Sequence, residues 1–416
     1  MKPKLLTTLP ETTPAVAGAD LLAGLTVAMV AIPLSIAIAI ASGAPPATGL
    51  ITAIVGGFLI SLLGGSRVQI GGPTGAFIVV VYAVIAKHGY DGLVLATLMA
   101  GVVLLLGGLV RAGNLIEHVP EAVINGFTIG IAVIIAASQI NDLFGLGIAK
   151  VPADFLEKMP ALWAARSNLS WPALGLGLAT LLGIIALRRW LPRWPGLIAA
   201  MALASLAVVY LHLPVDTVHS RYGELPAGLP LPSLPALSAG RLLELLPSAL
   251  TIAFLAAIES LLSAMVADRM IESRHRPNAE LLAQGAANIG SALFGGLPAT
   301  GAIARTATNV RAGGKTPLAG IFHAVIILLV MLLAAPLAGY LAMPALAALL
   351  LVTAWNMSEP DKWRGYWQAP LSERALLLIT LLLTVLTSLT IAIGVGVVLG
   401  LLLRLWPKAA LPEAAT

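Results

Sequence analysis

Residues 298–302 read Pro-Ala-Thr-Gly-Ala, and residues 72–76 read Gly-Pro-Thr-Gly-Ala. Both contain Thr-Gly-Ala, and each opens the third apolar segment of its half of this 416-residue chain. A match of three residues is weak alone, but its equivalent position in both halves indicates an internal repeat. A unit with an odd number of spans, repeated in tandem, enters the membrane from opposite sides, and this inverted plan is frequent in secondary transporters.

The residues before each match predict an extended chain that leads into a helix. Residues 68–72 read Val-Gln-Ile-Gly-Gly, and residues 295–298 read Gly-Gly-Leu-Pro. Because Pro is favoured in the first turn of a helix, we expect each segment to be a short extended stretch followed by a half-helix. Two half-helix N-termini meeting near the bilayer midplane would offer free N–H groups to an anion. The alternative is that Gly and Pro only kink two helices.

The composition places the chain in a membrane. Hydrophobic residues make up 59% and charged residues 10%, with a mean hydropathy of +0.96. A soluble domain carries about 25% charged residues, so this chain needs lipid around it. The absence of cysteine excludes disulfides and thiolate sites. The net charge of +5 lies in short loops, which favours membrane orientation over nucleic-acid binding.

Apolar runs of suitable length predict an all-α polytopic membrane protein with 14 transmembrane segments, arranged as 7+7 inverted repeats. The predicted spans are 20–41, 46–63, 68–86, 91–110, 119–140, 171–187, 195–212, 244–267, 278–294, 297–312, 317–336, 338–355, 372–389 and 391–406. The predicted division of the chain is 1–19, a cytoplasmic N-terminal segment; 20–213, the first repeat; 214–243, an extracellular loop; 244–406, the second repeat; and 407–416, the C-terminal tail.

The positive residues are unevenly distributed between the two sides. With both termini on one side, 17 of the 24 Lys and Arg residues fall on that side and six on the other. By the positive-inside rule, both termini are cytoplasmic. The N-terminus lacks the pattern of a cleaved signal. We therefore expect a multi-pass protein of the plasma (bacterial inner) membrane.

Two ionisable residues fall inside predicted spans, where a charge is costly and marks a functional candidate. Glu259 has no basic residue within one helical turn, and a carboxylate removed from water binds a proton more readily. Arg305 lies one turn into the tenth span and stays charged when buried, which suits an anion site. The alternatives are a structural, protonated Glu259 and a structural ion pair between the two residues.

No pattern in the sequence predicts an enzyme. We find no phosphate-binding loop, no metal cluster and no nucleophile–base pair, so we expect no catalytic residues, no metal and no cofactor.

At this point the residues resemble a known family. Residues 295–320 are similar to the tenth-span signature of the SulP (sulfate permease) anion transporters. Weaker similarities occur at 259–268, 31–33 and 71–75, so the resemblance covers nearly the whole chain. It implies a uracil-permease-like fold with a core domain (spans 1–4 and 8–11) and a gate domain (spans 5–7 and 12–14).

The resemblance also implies a substrate site and a coupling site. The implied substrate-binding residues are Pro33, Leu34, Ile38, Thr74, Gly75, Ala76, Gly301, Ala302, Ile303 and Arg305. Glu259 matches the acidic coupling position of the family, and Ser263 would lie beside it. Family members with Glu at this position are read as proton-coupled, and some with Asp as sodium-coupled. Members are commonly homodimers.

The end of the chain departs from the family pattern. These transporters usually continue into a cytoplasmic STAS domain, whereas this sequence stops at Thr416, soon after Trp406. We expect either a natural bacterial member that lacks the STAS domain or a truncated chain.

The leading hypothesis is proton-coupled symport of a small anion, sulfate or a dicarboxylate such as fumarate, by alternating access. The alternatives are a sodium-coupled bicarbonate transporter, a proton-coupled nucleobase permease and an uncoupled anion channel. The permanent charge of Arg305 disfavours a neutral nucleobase, and Glu259 disfavours a pure channel. The expected partners are the anion, a proton or sodium ion, membrane lipid and a second copy of the chain, without nucleic acid.

Overall fold

The computed structural model describes residues 2–387 except 117–119, 150 and 192–195, and it describes 391–392, 394–396 and 398–400. In this part of the chain the regular structure is helical apart from two short strands. The helices are α1 Leu5–Thr8, α2 Pro14–Ala41, α3 Pro46–Ile51, α4 Gly57–Leu63, α5 Phe77–Leu109, α6 Gly113–Ile116, α7 Glu121–Ser138, α8 Ile140–Phe144, α9 Phe155–Ala164, α10 Trp171–Trp190, α11 Gly196–Leu211, α12 Val218–Tyr222, α13 Ala239–Ile271, α14 Pro277–Leu293, α15 Ile303–Arg311, α16 Leu318–Gly339, α17 Met343–Met357, α18 Trp363–Gln368 and α19 Leu371–Leu386. The strands are β1 Gly71–Gly72 and β2 Thr300–Gly301.

Seven segments of the described chain are long and apolar enough to cross a membrane. They are Pro14–Ala41, Pro46–Leu63, Phe77–Leu109, Glu121–Phe144, Trp171–Trp190, Ala239–Ile271 and Leu318–Gly339. The remaining predicted spans correspond to shorter helices or to the second part of α5, which is broken at Gly89, where φ is 72° and ψ is 177°. The predicted last span, 391–406, lies partly outside the described residues.

The third and tenth segments of the chain meet through their strands. β1 pairs with β2 in antiparallel register, with Gly71 opposite Gly301 and Gly72 opposite Thr300. The N–H of Ala302 continues the ladder by donating to the Ile70 carbonyl at 2.9 Å. Each half of the chain therefore contributes one extended stretch followed by a helix, and the all-helical fold with 7+7 inverted repeats is confirmed.

The position of the two prolines was predicted wrongly. Pro73 and Pro298 do not lie in the first helical turn, because α5 begins at Phe77 and α15 at Ile303. The ladder between the strands holds the chain extended at this point, and a short turn follows Pro73 before α5 begins, with the N–H of Phe77 donating to the Thr74 carbonyl at 3.2 Å.

The helices form two packed groups. In one group α14 and α13 pack on α5, and α16 packs on α2. In the other, α19 and α17 pack on α7, and α10 packs on α17. We call these groups the core and the gate, after the two domains that the family resemblance implies, and β1, β2 and α15 belong to the core.

Extended backbone at membrane depth requires partners for its polar groups, since lipid offers none. One face of α14 supplies them through Asn288, whose side chain donates to the Ala299 carbonyl at 2.9 Å and accepts from the Ala299 N–H at 3.0 Å. Ser291, further along α14, donates to the Leu297 carbonyl at 2.6 Å. Thr52, in the π turn that joins α3 to α4, accepts from the Leu297 N–H at 2.6 Å.

Replacing Asn288 with leucine is expected to lower thermal stability. The change leaves two buried backbone groups of Ala299 unpaired, at a cost of about 1–3 kcal/mol each. The measurement is the midpoint of thermal denaturation of the purified protein in detergent. Asn356→Leu is the control, since Asn356 is exposed on α17. An equal shift in the two variants would contradict this role of Asn288.

Candidate functional site

The candidate site is formed where the N-termini of α5 and α15 approach each other across the strand pair. The first N–H groups of a helix have no partner within it. The N–H groups of Gly75 and Ala76, just before α5, make no hydrogen bond within the described chain. In α15 the corresponding groups belong to Ile303 and Ala304, because the Ala302 N–H is already bonded in the ladder. This arrangement suits a negatively charged ligand.

Glu259 lies on α13 and reaches the first half-helix. Its carboxylate accepts a hydrogen bond from the Thr74 hydroxyl at 2.7 Å, and the side chain is half-buried. Ser263, one turn later, is fully buried and lies 3.2 Å from the Thr306 hydroxyl. The structure therefore brings Glu259 to the substrate-binding residues expected in the third span, whereas Ser263 contacts α15 behind the strand pair.

Arg305 supplies a buried positive charge at the candidate site. The residue is 2% exposed, and its Nη2 donates to the Ser35 hydroxyl at 3.1 Å and to the Pro73 carbonyl at 2.9 Å. Its Nε and Nη1 have no hydrogen-bond partner in the described chain. The ion pair with Glu259 considered as an alternative is absent from the described residues. Arg305 therefore keeps an uncompensated charge next to the half-helices.

The substrate-binding residues expected from α2 pack in the hydrophobic core. Ile38 is 1% exposed and packs in the main hydrophobic core, and Pro33 is also buried. Leu34 is half-buried against that core. The contact of α2 with the site comes instead from Ser35, which the sequence analysis missed because a lone Ser in an apolar helix gives no signal of its partner.

Two glycines are required by close contacts at the strand pair. A Cβ on Gly72 would lie 2.4 Å from Nη1 of Arg305, and the φ of Gly72 is +146°. A Cβ on Gly301 would lie 1.5 Å from Nε2 of Gln69. Both positions thus allow a polar side chain to approach the backbone directly.

Replacing either glycine with alanine is expected to abolish ligand binding and to lower stability, because the added methyl group displaces Arg305 or Gln69. Uptake by reconstituted protein and thermal denaturation in detergent measure the two effects. Gly18→Ala is the matched control, since a Cβ there meets no atom within 4 Å. Normal uptake by Gly72→Ala and Gly301→Ala would contradict the described geometry.

A buried polar network behind the site was missed by the sequence analysis. The Glu280 carboxylate accepts from the Ser260 hydroxyl at 2.8 Å, from Gln284 at 2.8 Å and from the Gly65 N–H at 2.9 Å. Gln69 donates to the Ser260 hydroxyl at 2.9 Å. Polar residues four apart on α14 were the available signal. The network fixes the turn of α13 that carries Glu259.

The gate meets the core beside the site. A Cβ on Gly75 would lie 3.0 Å from the sulfur of Met357 and 3.6 Å from Ile135. In contrast, Ile303 is 43% exposed and Ala304 is also exposed. The site therefore has a closed side against the gate at Gly75 and an open side at the start of α15.

No group of three or more His, Cys, Asp or Glu side chains that could hold a metal occurs among the described residues. The polar groups at the site are hydroxyls, backbone amides, one carboxylate and one guanidinium. These are groups that bind an anion and exchange a proton.

Comparison with known proteins matches residues 18–381 to the sulfate permease family. The putative sulfate transporter YvdB of Bacillus subtilis is 44% identical over 82% of this chain and 64% of its own length. The bicarbonate transporter BicA of Synechocystis is 34% identical over 79% of this chain and 59% of its own length. The chain thus spans less than two thirds of the length of these two curated relatives.

Two solved structures share the fold. The transmembrane domain of a cyanobacterial bicarbonate transporter BicA superposes with a TM-score of 0.81 and 30% identity, covering 94% of this chain and 98% of that one. Murine Solute Carrier 26 family member A9, an anion transporter in the inward-facing state, gives a TM-score of 0.86 at 18% identity, covering 96% of this chain and 70% of that one.

Proposed function

This chain belongs to the sulfate permease family, and on that basis we propose that it is a secondary active transporter of small anions. The observation that carries the proposal is the pairing of β1 with β2, which brings two helix N-termini together beside the unpaired charge of Arg305. Free N–H groups and a buried cation favour an anion over a neutral solute. A neutral nucleobase is therefore the weaker candidate substrate.

Glu259 is the proposed proton-coupling residue. Its carboxylate lies within hydrogen-bond distance of Thr74, at the N-terminus of the first half-helix. A negative carboxylate repels an anion bound there, and a protonated one does not. Binding of the proton then favours binding of the anion, and by thermodynamic reciprocity the anion favours protonation.

We propose transport by alternating access, in which the core moves relative to the gate. The contacts of Gly75 with Met357 and Ile135 support this, because they close the site against the gate on one side. Movement of the core would open this contact and expose the site to the other side of the membrane. We also propose that both termini are cytoplasmic, as the distribution of positive residues predicts. The protein is proposed to be a homodimer, as the family resemblance implies.

Sulfate is the first candidate substrate, because the relative that is 44% identical is described as a putative sulfate transporter. Bicarbonate, with sodium as the coupling ion, is the second candidate, because BicA is 34% identical. The dicarboxylate fumarate, which is also a small anion, is the third candidate.

Uptake into proteoliposomes tests the proposal. Labelled sulfate, bicarbonate and fumarate are each supplied with an inward proton gradient, with an inward sodium gradient and with neither. We expect proton-driven uptake of sulfate. Sodium-driven uptake of bicarbonate alone would select the second candidate, and uptake that follows each anion's own gradient only would contradict coupled transport.

A further inference from the structure

A second feature of the molecule is a cavity that lies away from the strand pair. A cavity of about 1170 Å³ lies between the core and the gate. Its walls include Tyr82 of α5 and Ile134 of α7, and residues 151 and 153–158 line it as well. Ile78, one helical turn beyond Thr74, also borders it. The cavity therefore extends toward the candidate site, to within four residues of Thr74 on α5.

Several ionisable residues on the cavity wall lie within ion-pair distance of one another. These pairs are His88 with Glu244 at 3.0 Å, Arg221 with Asp142 at 2.7 Å and Arg221 with Asp216 at 2.8 Å. Lys87, Asp154 and Glu157 also line the cavity, and these three residues are exposed. Lys158 differs from all of them, because it is 4% exposed and has no ion pair or side-chain hydrogen bond within the described chain.

The position of Lys158 is fixed by its helix and by the core. The helix α9 packs against α7 and α19 of the gate, and the Lys158 N–H donates to the Asp154 carbonyl at 2.9 Å. The ammonium nitrogen lies 5.9 Å from the centre of the Tyr82 ring. The Tyr82 hydroxyl donates to the Val151 carbonyl, so the segment before α9 is held against the same core residue. These contacts hold Lys158 on the part of the cavity wall that α9 forms.

An ammonium in this position lacks the partners that normally accompany a buried charge. Burial lowers the pKa of Lys158, and the negative charge of Asp154 only partly opposes that effect. The ammonium has three N–H donors, and none of them makes a hydrogen bond within the described chain. A small anion in the cavity would accept from them and would stabilise the charged form.

We propose that Lys158 forms a second anion-binding site, where a small oxyanion is held in the cavity before or after it occupies the site between the half-helices. The transport role of this second site rests on the proposed function, whereas binding of the anion at Lys158 does not. The site raises the local concentration of the substrate and leaves the coupling to protons unchanged.

Binding is tested directly with purified protein in detergent and with sulfate as the probe. A short pulse of acetic anhydride acetylates neutral amines, and peptide mass spectrometry measures the extent at Lys158 and at the exposed Lys87 in the same molecules. Because a bound anion holds the proton on the amine, we expect sulfate to reduce acetylation of Lys158 saturably and to leave Lys87 unaffected. Acetylation of Lys158 that is independent of sulfate would overturn the proposal.

Transport kinetics test the role of this second site. We expect Lys158→Gln to raise the apparent KM for sulfate about tenfold, the value of one partly buried charge contact, with an unchanged maximal rate. Lys158→Arg should retain most of the affinity, and Lys87→Gln, which removes the same charge from the same cavity wall, should behave as the wild type. Equal KM values for Lys158→Gln and Lys87→Gln would overturn the transport role.

The variant Arg305→Gln separates this proposal from the proposed function. It should show a KM for sulfate uptake raised about ten- to a hundredfold and still show sulfate protection of Lys158. If protection is lost in Arg305→Gln, sulfate acts on Lys158 only through the site at the half-helices, and the second site is overturned.

Discussion

Glu259→Gln is expected to abolish proton-driven accumulation of the anion and to retain exchange of one anion for another. Glutamine cannot bind or release a proton, and it presents the neutral state that favours the anion. The Thr74 hydroxyl can still donate to the side-chain amide oxygen, so the geometry of the site should be preserved. The measurement is sulfate uptake with an imposed proton gradient, followed by counterflow of labelled against unlabelled sulfate.

The control for this variant is Glu244→Gln on the same helix. The side chain of Glu244 is 60% exposed and pairs with His88 at 3.0 Å, far from Thr74 along α13. The Glu244→Gln variant should accumulate sulfate as the wild type does. Full gradient-driven accumulation by Glu259→Gln would remove Glu259 from the coupling mechanism.

Arg305→Gln is expected to raise the KM for the anion by about ten- to a hundredfold, since a hydrogen bond to a charged group contributes about 1.5–3 kcal/mol. The same variant should not lose thermal stability on account of a broken ion pair, because Arg305 has no acidic partner in the described chain. Uptake kinetics and thermal denaturation are measured on the same preparation.

Arg311→Gln is the matched control for Arg305→Gln. Arg311 lies on the same helix as Arg305 and carries the same charge, but its side chain is exposed. An unchanged KM in Arg305→Gln would exclude Arg305 from the anion site. A large loss of stability with normal KM would instead indicate a purely structural role.

Short extended stretches were predictable at 68–72 and 295–298, because Gly disfavours a regular helix and Pro fixes φ. The equivalent positions in two inverted halves predicted that the two half-helices meet, but they did not predict that β1 and β2 pair. The helix starts were not predictable, since the ladder between β1 and β2 is a long-range interaction that delays α5 to Phe77.

The charged members of the site were recognised because a charge within an apolar span is conspicuous. Their partners were not, because Thr74 and Ser35 are ordinary residues whose contacts depend on how α13, α2 and the half-helices pack. The same limit applies to Glu280, which lies near the start of α14 and reads in sequence as part of a polar helix end. Its spacing of four residues from Gln284 places the two on one face of α14, but its burial depends on its contacts with Gly65 and Ser260.

The most direct test of coupling is whether the anion gradient alone moves protons. Proteoliposomes are loaded with a pH-sensitive dye, the membrane potential is clamped with potassium and valinomycin, and sulfate is added outside in sodium-free buffer. The account predicts that the lumen of vesicles with wild-type protein becomes more acidic as labelled sulfate enters, and that vesicles with Glu259→Gln show no such change. Entry of sulfate into wild-type vesicles without acidification would contradict proton-coupled transport.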